Sequence, residues 1–260
     1  VYLDHAAGAP LLDVARDAMD EVWRLPGNPS SLHTAGRTAR RLLEESRESL
    51  AECLGAHATE IVFTSGGTEA NNLILLGAAG ARPERPRVAI GGAEHPSVAG
   101  VVDHLPGRVD VLRRAAPGRL RDGQLAVLTE RTALVSVLLV NNETGVVQPL
   151  DEVLSAGRAV GAWTHTDAVQ AFGHLPLDFG ALELDALTVT AHKVGGPVGI
   201  GALVVRRELT LAAPGFGGGQ ERRVRSGTAM VALAAGFAAA ARSAMDDLSQ
   251  EAARLESLRT

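Results

Sequence analysis

Apolar, β-branched runs alternate along this chain with stretches whose apolar residues recur every three or four positions. The runs at Ile61–Ser65, Arg87–Gly91, Val109–Leu112, Ala133–Asn141, Ala162–Thr166, Ala186–Thr190 and Gly201–Arg206 predict seven strands. Several are apolar almost throughout, as in Ala133-Leu134-Val135-Ser136-Val137-Leu138-Leu139-Val140. Strands covered on both faces of a mostly parallel sheet have that pattern. Helical spacing predicts helices over Thr34–Leu54, Thr68–Ala81, Pro96–Leu105 and Leu150–Val160. The expected fold is therefore α/β: a mostly parallel seven-stranded sheet with helices on both faces. Residues 1–30, punctuated by Pro10, Pro26, Gly27 and Pro29, predict an irregular N-terminal arm. Residues 31–230 would form the main domain. Residues 231–260 are alanine-rich and helical, and the pattern continues through Arg254–Thr260 without a Gly or Pro to end it. They are expected to lead into a further small domain largely absent from this chain.

Composition narrows the function classes. Of 260 residues, 46% are hydrophobic and 21% charged, which is globular rather than disordered. The single cysteine, Cys53, cannot form an internal disulfide, and no Cys/His cluster has zinc-site spacing, so no metal is expected. A net charge of -5 gives no electrostatic footprint for nucleic acid. The start, Val1-Tyr2-Leu3-Asp4-His5, lacks signal-peptide character. The longest apolar stretch, Ala229 to Ala241, falls short of the roughly 18 residues of a membrane span. A soluble cytoplasmic protein with no membrane partner is expected.

Lys193 is the one lysine among 25 basic residues. It follows a predicted strand and precedes Val194-Gly195-Gly196-Pro197, where open α/β sheets collect ligands. A lysine there can form a Schiff base with an aldehyde cofactor, which arginine cannot do. A solvated surface lysine is the alternative. Thr64-Ser65-Gly66-Gly67-Thr68 joins a strand to a helix through two glycines, so Gly67 and Thr68 offer a phosphate nest or an ordinary capped turn. His165-Thr166-Asp167-Ala168-Val169-Gln170 places Asp167 at another strand end, to pair with a pyridine nitrogen or cap a helix. Asn141 and Asn142 end a third strand, as site amides or an ordinary turn, and His95 precedes a helix where its ring could stack on a cofactor or serve the structure alone. Gly217 to Thr228 is a Gly-rich, basic segment suited to a phosphate, an oligomer interface or a solvated loop. An amine, a phosphate nest, a carboxylate and a histidine at four separate strand ends are what pyridoxal 5'-phosphate requires.

The chain also resembles a known family. Tyr2-Leu3-Asp4-His5-Ala6-Ala7, Gly27-Asn28-Pro29-Ser30-Ser31-Leu32-His33, Thr64-Ser65-Gly66-Gly67-Thr68-Glu69, Glu94-His95, Asn141-Asn142-Glu143-Thr144-Gly145, His165 through Gln170, His192-Lys193 and Arg225-Ser226-Gly227-Thr228 are similar, in that order, to motifs of the cysteine desulfurases. These are class V, fold-type I pyridoxal-phosphate enzymes. The resemblance implies that Lys193 carries the cofactor as a Schiff base and moves protons at the substrate Cα. It implies that His95 stacks on the pyridine ring and assists proton transfer. Asp167 would pair with the ring nitrogen, Gln170 with the ring hydroxyl, and Asn142 would lie near cofactor and substrate carboxylate. Gly67, Thr68, Thr190 and His192 would hold the phosphate, Thr190 standing where the family often has Ser. Thr228 would reach the phosphate of a neighbouring subunit, implying a homodimer. The implied reaction converts L-cysteine to L-alanine and passes sulfur to an acceptor as a persulfide, with iron–sulfur cluster assembly among the pathways it could serve.

In that family a cysteine past the Arg-Ser-Gly-Thr motif takes the sulfur, and this chain has no cysteine there. Cys53 shares an apolar helix stripe with Ala39, Leu42, Leu43, Leu50 and Leu54 and is expected to be core. A related lyase or aminotransferase acting on selenocysteine or cysteine sulfinate, and a non-catalytic paralogue, are the other readings.

Overall fold

The computed structural model describes residues 1–212 and 214–259. Seven strands form one sheet: β1 Ile61–Thr64, β2 Arg87–Gly91, β3 Arg108–Leu112, β4 Thr132–Ser136, β5 Trp163–Asp167, β6 Ala186–Thr190 and β7 Gly201–Val205. Their spatial order is β1-β7-β6-β5-β4-β2-β3. Neighbours from β6 to β3 are parallel, and β7 runs antiparallel between β1 and β6. The helices are α1 Asp13–Trp23, α2 Thr34–Leu54, α3 Gly67–Ala81, α4 Pro96–Ala99, α5 Leu150–Ala159, α6 Val231–Asp246 and α7 Leu248–Arg259.

Side-chain alternation along the strands assigns helices to the two faces. Ile61, Phe63, Val189, Ala202 and Val204 pack with Leu50, Leu54, Phe237 and Ala241 of α2 and α6. Their neighbours Val62, Leu203 and Val205 pack on the other face with Leu73, Ile74 and Ala78 of α3. Strands β1, β4, β6 and β7 are buried throughout and so carry few polar positions, whereas the edge strand β3 stays partly exposed. Cys53 lies in the first of these clusters, 7% exposed, and burial pushes its thiol up from the usual range.

Four expectations change. The helix expected over Pro96–Leu105 is α-helical only to Ala99, with a 3₁₀ turn at Val102–His104 after it. Residues 13–23 are helical: Ala15 and Met19, four apart, are buried, and α1 lies along α6. Its bounding punctuation, Pro10 before and Pro26 after, frames a helix rather than preventing one. The run Ala133–Asn141 leaves the ladder at Ser136. Val137 and Leu139 still donate to the His165 and Asp167 carbonyls of β5. On the opposite side β2 has ended at Gly91, so the Leu138 N–H is taken by Glu94 Oε1 at 2.8 Å. The C-terminal helical stretch breaks at Asp247 into α6 and α7. Thr260 lies outside the described residues.

Candidate active site

Parallel strands deliver their carboxyl ends to one edge of the sheet, and a cavity of about 490 Å3 opens there. Nine of the residues singled out from sequence line it: Gly67, Thr68, His95, Asn142, Asp167, Gln170, Thr190, His192 and Lys193. They come from the ends of β1, β2, β4, β5 and β6, which are distant in sequence. Thr228 does not line this cavity and is exposed.

Lys193 sits in a short turn of 3₁₀ helix directly after β6. Its amine donates to the main-chain carbonyls of Ala6 and Ala7. Residues Asp4 to Ala7 thereby close one wall of the cavity. Partial burial moves the lysine below its usual range, against the pull of Asp4 and Asp167. A lysine so shifted keeps a larger neutral, nucleophilic fraction. Gln170 Nε2 also donates to Ala6 O, at 2.9 Å.

Asp167 ends β5 at 6% exposure. Its Oδ1 accepts the Val169 N–H at 3.0 Å and its Oδ2 the Asn71 amide at 2.7 Å. Burial pushes this carboxyl up, opposed by those two bonds and by the charges of His95 and Lys193. Both hydrogen-bond partners are neutral, so a buried carboxylate facing the cavity remains free to pair with a cationic ring nitrogen. Behind it His165 is enclosed between the Ser136 and Thr188 hydroxyls, and burial lowers its imidazole to about 3.

The turn after β1 has Gly66 at φ 152°, and α3 begins there without a side-chain cap. Unpaired N–H groups at the start of a 15-residue helix thus face the cavity beside the Thr68 hydroxyl. Across the cavity the Thr190 hydroxyl lies 3.0 Å from His192 Nδ1. Burial, then the Lys193 charge, lowers the His192 imidazole. This donor set suits a phosphate, and with Asp167 and Lys193 it fits an aldehyde cofactor that carries a ring nitrogen and a phosphate.

Three contributors had been given no role from sequence. Asn71 lines the cavity and ties Asp167 to Ser97. The signal for it was spacing, since a residue three after Thr68 shares its helix face. Ser97 bonds His95, two residues before it. Glu94 secures the loop carrying His95: Oε1 holds Leu138, and a Cβ on Gly91 would strike it. Burial raises the Glu94 carboxyl well above its usual range, reinforced by Asp167 and opposed by the Leu138 and Gly91 N–H groups.

Comparison with known proteins shows the family. The aminotransferase class-V family profile matches residues 1–258. An IscS-like cysteine desulfurase of Mycobacterium tuberculosis is 46% identical over 269 residues, covering 99% of this chain and 68% of that protein. The chain belongs to the cysteine desulfurases. Cysteine desulfurase IscS of Dictyoglomus turgidum is 36% identical, with 100% of this chain and 67% of that protein covered. Among solved structures, a NifS-like protein superposes with a TM-score of 0.96 at 34% identity, over 100% of this chain and 73% of its own. DndA from Streptomyces lividans gives 0.83 at 38% identity, over 96% and 74%. The cysteine desulfurase chain described here thus spans about two thirds of the length of these curated relatives. Among the described residues no helix is long and apolar enough to cross a membrane.

Proposed function

We propose that this site holds pyridoxal 5'-phosphate and desulfurates L-cysteine to L-alanine, the sulfur passing as a persulfide to a thiol outside this chain. The observation that carries the reading is the convergence of the one lysine, a buried carboxylate and an uncapped helix start on one cavity. The cofactor would supply an aldehyde for amines and a cationic ring that draws electrons from the substrate Cα.

The chain's own residues do the rest. Gly67, Thr68, Thr190 and His192 anchor the phosphate. Asp167 keeps the ring nitrogen protonated, and Asn71 holds that carboxylate in place. Gln170 meets the ring hydroxyl, and His95 covers the ring. Lys193, once released from the Ala6 and Ala7 carbonyls, is placed to move a proton at the substrate Cα. Asn142 orients the substrate carboxylate. Thr228, exposed here, serves the phosphate of a second copy in a homodimer. Cys53 cannot take the sulfur, since it is packed against Leu50 and Leu54 with its thiol protonated by burial. The acceptor thiolate attacks the substrate sulfur and makes a sulfur–sulfur bond as the carbon–sulfur bond breaks; the electron pair of that bond stays on the carbon side, and Cβ takes up a proton to become the methyl of alanine.

The test is absorbance of the purified protein with added pyridoxal 5'-phosphate, before and after borohydride. A near-visible band that borohydride abolishes, with a reduced adduct mapped to Lys193, is expected. No band, or an adduct elsewhere, would overturn the assignment. Lys193→Ala is expected to lose both signals.

A further inference from the structure

Four side chains form one hydrogen-bonded line along the cavity wall: His95 before α4, Ser97 within it, Asn71 on α3 and Asp167 ending β5. Ser97 and Asn71 are 8% and 1% exposed, so water does not compete for the bonds Asn71 makes to Ser97 and Asp167. Counting protons sets their directions. The Ser97 backbone N–H donates to His95 Nδ1 at 3.1 Å. A protonated ring nitrogen cannot accept, so Nδ1 carries the lone pair. The Ser97 hydroxyl lies 2.7 Å from the same nitrogen and therefore turns its proton toward it. The hydroxyl oxygen is then left as an acceptor, filled by Asn71 Nδ2 at 2.8 Å. The second proton of that amide group goes to Asp167 Oδ2 at 2.7 Å. The amide carbonyl, turned away from both, is buried without a partner. That orientation would not persist unless the two N–H bonds outweighed the cost of an idle carbonyl.

We propose that Ser97 and Asn71 are positioning residues that hold neutral His95 as the Nε2–H tautomer and couple it to Asp167. The nitrogen left for the cavity is then a hydrogen-bond donor. The only basic nitrogen of the neutral ring is turned onto Ser97, so neutral His95 cannot accept a proton from a substrate. If the proposed cysteine desulfuration is correct, the consequence for that reaction is specific. His95 would hold an anionic substrate group, a thiolate or carboxylate, and base work would fall to Lys193. The tautomer itself does not depend on that reading.

The experiment is ¹⁵N NMR of the full chain with labelled histidines and no cofactor, at a pH where the ring is neutral. His95→Gln assigns the resonances among the eight histidines. The expected result is a pyridine-like shift at Nδ1 and a pyrrole-like shift at Nε2 of His95. Ser97→Ala removes the hydroxyl bond but keeps the backbone N–H, so both resonances are expected to move part-way toward averaged values, Asn71→Ala to move them less far, and Ser97→Thr to retain the wild-type pair. A pyrrole-like Nδ1 in the wild type would overturn the proposal, as would shifts unchanged in both alanine variants. Because no cofactor is present, this outcome is independent of whether Lys193 forms its borohydride adduct.

Discussion

Arg47 and Glu221 make a buried bidentate ion pair whose removal should be costly. Arg47 Nη1 and Nη2 meet Glu221 Oε2 and Oε1 at 2.8 and 2.7 Å, and the side chains are 10% and 2% exposed. Glu221 also accepts the Phe63 N–H of β1 at 2.8 Å, and Arg47 lies 4.8 Å over the Phe63 ring. The pair clamps a segment in which Glu221, Arg222 and Arg223 all have positive φ, at 40°, 57° and 60°. Such a conformation costs about 1–2 kcal/mol per non-glycine residue, so the clamp must outweigh it. Glu221→Gln keeps the volume and an acceptor for Phe63 but leaves the guanidinium with only half-exposed Glu44 as a charge partner. That change is expected to cost about 3–5 kcal/mol. Arg47→Met should cost a similar amount, including about 1 kcal/mol from the ring contact. The double variant buries no charge and should lie closer to wild type than either single change. Urea unfolding at pH 7 and one fixed protein concentration measures all four proteins. Single variants within about 1 kcal/mol of wild type, or costs that simply add, would refute the reasoning. The clamp bears on the site, because Arg225 just beyond it bonds Glu69 of α3 at 3.2 Å, and Glu69 holds the Ser65 N–H beside the proposed phosphate nest.

Three further predictions follow from buried groups and from strain. His165 stays neutral in the fold down to about pH 3, while the unfolded chain protonates it near 6.5. The unfolded state therefore binds the extra proton in that window, and stability falls as pH drops, by at most about 1.4 kcal/mol per pH unit. His165→Gln should flatten this slope in unfolding series between pH 6 and 4, and an unchanged slope would count against it. Glu94→Gln should keep stability within about 1 kcal/mol, while Glu94→Ala strands the Leu138 N–H and should cost about 1–3 kcal/mol. Equal losses in chemical denaturation would disprove the role given to that bond. Arg223→Gly relieves a left-handed residue whose side chain is exposed and should stabilise by about 1 kcal/mol, read as a raised urea midpoint; a lowered one would contradict it.

Most of the sheet was legible because the central strands β4, β6 and β7 are buried along their whole length, which leaves largely apolar runs with no alternation to misread. The side chains lining the candidate site were legible for a related reason. Each stands where a parallel strand ends and its chain turns, so Lys193, Asp167, Gly67 and His95 fall beside glycines, prolines or capping residues. α1 was hidden because only Ala15 and Met19 of its eleven residues are buried, too few to stand out between Pro10 and Pro26. The end of β4 was hidden because a carboxylate, not a strand, takes the Leu138 N–H, and no local pattern records a partner 44 residues away.

The sequence by itself determined which chemistries are open to this chain: one amine, one thiol, a glycine turn ahead of a helix and an aspartate after a strand. Those are properties of residue type and near neighbours. Spacing already put the thiol on an apolar helix stripe and the amine at a strand end, and tertiary structure alone decided that the amine meets the Ala6 and Ala7 carbonyls. It also decided that Asn71 and Ser97 join His95 to Asp167, and that Glu221 reaches Arg47. The reason is distance along the chain. Asn71 and Asp167 are separated by 96 residues and Arg47 and Glu221 by 174, so these bonds exist only once the sheet has brought its strand ends to one edge.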